Sequence, residues 1–81
     1  MKRILRFTAS WCGPCKSLAM SLEEANLSLP IEVIDIDTHS ELAVEYGIRG
    51  VPTLVLTDGT VEIKRLVGSK TVAELKEWAS V

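Results

Sequence analysis

Histidine occurs once in this 81-residue chain and cysteine twice. A closed structural zinc site wants four such ligands, so these three fall short of one within a single chain. Basic residues are also few. Nine Lys and Arg against eleven Asp and Glu give a formal net charge of −2, with no basic run or stripe, which argues against nucleic-acid binding. No apolar run approaches the ~20 residues that a membrane helix needs. The opening "MKRILRF" is basic at first but lacks the sustained apolar region and small-residue cleavage site of a secretory leader. It reads as mature sequence, and the expected location is the cytoplasm, where paired cysteines are seldom static staples. Linkers, repeats and low-complexity stretches are missing too. What remains, 47% hydrophobic and 25% charged, is ordinary globular composition, and residues 1–81 are expected to form a single domain.

Ile4 to Thr8 is bulky and apolar enough for a strand. Pro14 then opens a helical pattern, since proline fits the first turn, where its missing N–H costs nothing. Leu18, Ala19, Leu22 and Ala25 follow at helical spacing, with Cys15 on the same face. Ile31 to Ile36 is a second strand, apolar on both faces at Val33 and Ile34, so both faces are expected to be covered, as in a parallel pair joined by a helix. Thr38 and Glu41 have capping-box spacing ahead of a short helix that Gly47 ends. Thr53 to Thr57 is a third strand. Asp58-Gly59 signals a tight hairpin, and Thr60 to Val67 returns as the fourth strand, with a bulge expected near Lys64 and Arg65. Thr71 and Glu74 form a second capping box before a last helix with Val72, Leu75, Trp78 and Ala79 on its buried face. The fold class is α/β, in the order β-α-β-α-β-β-α.

The cysteines lie in "WCGPCK", residues 11 to 16. A static disulfide across so short a loop would constrain the unfolded chain very little. Residues i and i+3 on a first helical turn lie roughly 5 Å apart, close enough for a disulfide to open and close with little backbone motion. A CxxC pair beside a βαβ pattern is a redox arrangement. Cys12 precedes the helix, where free N–H groups and the positive dipole end favour a thiolate, and its pKa is expected to fall toward about 7. Gly13 leaves room for a substrate chain. Cys15, one turn in and facing the core, is the expected resolving partner. Trp11 alone would also fit a core position, and Lys16 a solvated side chain.

Taken together, these residues resemble the thioredoxin family. "WCGPCK" is similar to its active-site motif, "YGIRGVPT" at Tyr46 to Thr53 to the loop before its cis-proline, and Val67-Gly68 to a later family site. The resemblance covers nearly the whole chain. It implies a four-stranded mixed sheet in the order 2-1-3-4 with helices on both faces, a cis Val51–Pro52 bond, and a protein-docking surface of Trp11, Val51, Pro52, Val67 and Gly68 around Cys12. It further implies a protein-disulfide reductase with no bound cofactor beyond the Cys12–Cys15 pair, recycled by a flavin-dependent thioredoxin reductase that draws electrons from NADPH. The protein is expected to act as a monomer on protein disulfides, with neither nucleic acid nor membrane as partner. Alternatives are a dedicated electron donor to one enzyme such as ribonucleotide reductase, a binding subunit that uses the surface without redox chemistry, and a metal or iron–sulfur carrier bridging two chains through Cys12.

The sequence departs from the thioredoxin pattern in two respects, and from the glutaredoxin pattern in one. Ordinary thioredoxins carry a further strand and helix in front. The glutathione-binding Gly-Gly-Asp stretch of the equally short glutaredoxins is replaced by "VGSKT", which argues against glutathione. Arg6 and Val33 occupy the places of a buried aspartate and a neighbouring lysine. Two readings of Arg6 stand open: its stem lies on the core with its head in water, or, since a buried arginine needs a partner, it pairs with Asp35 on the second strand and the two tune the thiols.

Overall fold

The computed structural model describes residues 1–80. Seven elements follow in the expected order: β1 (Lys2–Thr8), α1 (Gly13–Ala25), β2 (Ile31–Asp35), α2 (Ser40–Glu45), β3 (Thr53–Asp58), β4 (Val61–Val67) and α3 (Val72–Ala79). The strands form one sheet in the order β2-β1-β3-β4. β1 runs parallel to β2 and antiparallel to β3, and β3 is antiparallel to β4.

Strand side chains alternate in direction, so the two central strands feed two separate cores. Ile4, Leu54 and Leu56 point to one face and pack with Leu18, Leu22 and Ala25 of α1 and Leu75 of α3. Leu5, Phe7, Ile34 and Val55 point to the other face, against Leu42 and Tyr46 of the α2 region. There the Phe7 and Tyr46 rings meet at 5.6 Å between centroids, tilted by 52°, a favourable aromatic geometry. β3 is buried from Thr53 to Thr57 because it is central and covered on both faces.

Helix ends explain several boundaries. α1 stops at Asn26, which adopts a left-handed conformation (φ 49°) and donates its N–H to the Leu22 carbonyl at 3.1 Å. α3 starts with the expected capping box: the Glu74 N–H donates to Thr71 Oγ1 at 3.2 Å, and the Thr71 N–H donates to Glu74 Oε1 at 2.9 Å. The box expected from Thr38 and Glu41 is not formed. The cap residue of α2 is His39, without a side-chain capping bond, because Thr38 lies one residue too early. Its hydroxyl instead bonds the Asp35 carbonyl at 3.3 Å and His39 Nδ1 at 2.9 Å.

The bulge expected near Lys64 and Arg65 is present, at the adjacent Ile63: Leu56 pairs with Lys64 and Thr57 with Glu62, leaving Ile63 as the extra residue. One further expectation is corrected. β2 is only partly covered on its α1-side face, where Ile31 packs against the core. Ile34 is buried, but Val33 is 55% exposed, because β2 is an edge strand. Its apolar residues on both faces resemble a covered strand in sequence, yet an edge position leaves one of them in water.

Candidate active site

β1 ends at Thr8, and after four intervening residues the chain enters α1 at Gly13. The Cys12 N–H donates back to the Ala9 carbonyl at 3.2 Å, folding the connection into a tight turn. Cys12 is thereby the cap residue of α1, with extended backbone angles, and Pro14 occupies the first turn. The helix-start geometry aims the Cys15 N–H at Cys12 Sγ, 3.1 Å away. An N–H with no partner inside the helix thus finds the sulfur as its acceptor. Cys12 and Cys15 are joined by a disulfide, with Cα atoms 5.3 Å apart.

Both cysteines are buried, Cys12 at 4% and Cys15 at 2% exposure. The difference expected between an accessible and a shielded cysteine is therefore small in area. Their inequivalence lies in polarity, since Cys12 sulfur receives the helix N–H. Ala9, Ile36 and Val51 pack around the pair, and the Val51 carbonyl oxygen lies 3.6 Å from Cys12 Sγ. The Val51–Pro52 bond is cis. The Thr53 hydroxyl braces this loop by donating to the Gly50 carbonyl at 2.7 Å. The Pro52 carbonyl accepts the Gly68 N–H at 2.9 Å, and Gly68 adopts φ 92°, a conformation that favours glycine. This bond brings the Val67-Gly68 segment beside Val51 and Pro52.

The rim is apolar and open. Trp11 is 68% exposed and Val67 60% exposed, so Trp11 is a surface residue and not a core one. A Cβ placed on Gly13 would meet no atom within 4 Å, so this position faces open space. Lys16 is exposed. The Trp11 indole N–H donates to Asp37 Oδ2 at 3.0 Å. Asp37 is the site residue that sequence reasoning missed. No local spacing links it to Trp11; the only available signal was the parallel pairing of β1 and β2, which sets their C-terminal ends side by side.

The expected Arg6–Asp35 pair does not form. Arg6 is level with Val33, whereas Asp35 is level with Thr8, one step further along the same face. The Asp35 carboxylate accepts the Asp37 N–H at 2.8 Å. It is Arg3, on the opposite face, that pairs with an acid of β2, reaching Glu32 at 3.0 Å. Arg6 is half-buried and makes no ion pair among the described residues, and burial pushes its guanidinium down from the ordinary value.

Comparison with known proteins gives a consistent result. The family model described as thioredoxin matches residues 1–81. Thioredoxin from Bacillus subtilis is 45% identical over 76 residues, covering 88% of this chain and 72% of that protein. The bifunctional thioredoxin reductase/thioredoxin of Mycobacterium leprae is 40% identical over 76 residues, covering 89% of this chain and 17% of that one. Among solved structures, a mutant thioredoxin from Halobacterium salinarum superposes with a TM-score of 0.87 at 35% identity, over 96% of this chain and 71% of that one. The chain spans 50% of thioredoxin C-3 from Corynebacterium nephridii and 66% of thioredoxin from Mycobacterium bovis. With the family model matched from end to end, the chain belongs to the thioredoxin family.

Proposed function

We propose that the protein is a thiol–disulfide oxidoreductase that reduces disulfides of other proteins. The observation that carries this reading is the Cys15 N–H aimed at Cys12 Sγ across 3.1 Å beneath an exposed apolar rim. In the reduced protein the same N–H and the helix dipole favour a thiolate on Cys12. The thiolate attacks one sulfur of a substrate disulfide, forming a mixed disulfide and releasing the other substrate sulfur as a thiolate. Cys15, as thiolate, then attacks Cys12 Sγ. The Cys12–Cys15 disulfide forms, the mixed disulfide breaks, and the second substrate sulfur leaves. Two electrons pass to the substrate, whose thiolates take up protons from water and from Cys15.

Trp11, Val51, Pro52, Val67 and Gly68 form the docking rim in this reading. The Val51 backbone offers an edge for an extended substrate segment. Gly13 and Pro14 keep the approach open and start the helix. NADPH supplies the electrons through a thioredoxin reductase. The Mycobacterium leprae relative, named as reductase and thioredoxin together, supports that pairing. The reading places the protein in the cytoplasm, where such a pair cycles. Insulin reduction coupled to NADPH and a flavin-dependent thioredoxin reductase tests it directly. Turnover that requires both cysteines is the expected result, and a protein unable to reduce insulin, even when pre-reduced chemically, would overturn it.

A further inference from the structure

The chain between α2 and β3 is held at both ends from the β4 side. At its far end the Gly68 N–H, just past β4, bonds the Pro52 carbonyl at 2.9 Å. At its near end the Arg65 guanidinium donates from Nη2 to the Tyr46 carbonyl at 2.8 Å. Tyr46 is the cap residue that closes α2, so its carbonyl is one that a helix end leaves without an intrahelical donor. The same guanidinium grips the Glu62 carboxylate in a fork, Nε to Oε2 and Nη2 to Oε1, each at 2.7 Å. The bidentate form is the one in which an ion pair near the surface carries weight, and these two side chains are only 33% and 34% exposed.

This clamp depends on the bulge. Side chains alternate along a regular strand, so residues three apart point to opposite faces. Glu62 and Arg65 are three apart yet share a face: Glu62 is level with Thr57 and Arg65 with Val55, and Val55 belongs to the core that Leu42 and Tyr46 cover. The extra residue Ile63 supplies the shift of one, as bulges re-aim side chains. In an unbroken strand Glu62 would lie on the α3 side. Few other bonds hold the stretch in place. The Gly47 and Ile48 N–H groups donate to the Val44 and Ala43 carbonyls at 3.0 and 2.8 Å, and the Thr53 hydroxyl braces the Gly50 carbonyl. Arg49 and Gly50 between them are exposed.

We propose that Arg65, oriented by Glu62 across the Ile63 bulge, is a positioning residue that fixes residues 47–52 and so sets the Val51 edge for protein substrates. The inference rests on the docking rim of the function proposed above. Arg65 itself touches neither substrate nor sulfur. It tethers the Tyr46 carbonyl, where the segment starts, to the strand that leads into Val67-Gly68, where the segment ends. A segment fixed at both ends before a substrate arrives has less freedom left to lose on binding.

Arg65→Ala releases the tether. In insulin reduction by the full chain, KM is expected to rise about 2- to 5-fold with kcat unchanged. The rate with dithiobis(nitrobenzoate), a disulfide too small to use the Val51 edge, is expected to match wild type. Glu62→Ala is expected to move KM the same way, and the double variant no further than Arg65→Ala, because the two side chains act as one unit. Arg65→Lys keeps the charge but not the fork, and is expected to behave like Arg65→Ala; that result separates positioning from electrostatic steering. Amide exchange reads the tether without any activity. The Gly47 and Ile48 amides are expected to exchange about tenfold faster in Arg65→Ala and in Glu62→Ala, with those of β1 and β3 unchanged. An unchanged KM for insulin, full rescue by Arg65→Lys, an equal loss with the small disulfide, or wild-type exchange at Gly47 and Ile48 would each overturn the proposal. A wild type that reduces no insulin would instead overturn the proposed function, and the exchange rates would still decide whether the tether holds the loop.

Discussion

The Trp11 indole N–H donates to the Asp37 carboxylate across 3.0 Å, tying the loop after β1 to the loop after β2. Both residues are exposed, so in the function proposed above the bond serves to orient Trp11 in the docking rim more than to stabilise the fold. Asp37→Ala should therefore weaken substrate docking and spare the chemistry. Loss of such a bond is worth about 0.5–1.5 kcal/mol, so KM for a protein disulfide should rise about 2- to 10-fold with kcat nearly unchanged. Steady-state insulin reduction measures both constants, and a fall in kcat at constant KM would contradict this role.

The sequence carried the fold through signals that are local and strong. The Thr71–Glu74 box, Asp58-Gly59 and Pro14 each act within a few residues, and each stands where expected. Misreadings arose where tertiary placement outranked local pattern. Val33 is apolar but exposed, because strand order puts β2 at the edge. Thr38 has capping spacing but satisfies the Asp35 carbonyl instead. At the site, the motif fixed Cys12 and Cys15, but the Trp11–Asp37 bond and the separation of Arg6 from Asp35 depend on the register between two strands, which no spacing along the chain encodes.

The two cysteines should fail differently when replaced. Cys12→Ser should abolish disulfide reduction, since the sulfur that receives the Cys15 N–H is gone. Cys15→Ser should still attack once and then stall, accumulating the mixed disulfide on Cys12. Mass spectrometry of each variant after exposure to an oxidised substrate checks this. A stalled adduct on Cys15 in the Cys12→Ser protein would reverse the assignment.

The cap of α3 gives a stability prediction with a pH sign. Thr71→Ala should cost about 1 kcal/mol at neutral pH, lowering Tm by about 4–8 °C. The Thr71 backbone N–H, and then its hydroxyl, hold the Glu74 carboxyl below its ordinary 4.5. A depressed folded value means that the carboxylate stabilises the protein above pH 4.5 and that this contribution is lost as pH falls through the folded value. The Tm gap between wild type and Thr71→Ala should therefore be widest above pH 4.5 and narrow as pH falls through the lower folded value. Thermal melts followed by circular dichroism at several pH values test it, and a gap that widens in acid would refute the coupling.

Arg6 offers a test of electrostatics on the α1 side of the sheet. It lies on the face of β1 that α1 covers, level with exposed Val33, and has no acid partner among the described residues. An arginine keeps its charge at any ordinary pH, so burial leaves an uncompensated cation on the side of the sheet that carries the Cys15 helix. A cation there favours thiolate over thiol and hence the reduced over the oxidised pair. Removing it should make the protein a stronger reductant, by about 30 mV for each ~1.4 kcal/mol of lost stabilisation. The expected order of reduction potential is wild type highest, Arg6→Ala lower and Arg6→Asp lowest. Mixed-disulfide resolution should shift to higher pH in the same order, because the Cys15 thiolate loses its support. Redox titration against glutathione and the pH dependence of resolution measure the two effects separately. Potentials and pH profiles that coincide for all three proteins would leave Arg6 as a solvated bystander whose stem merely covers the sheet.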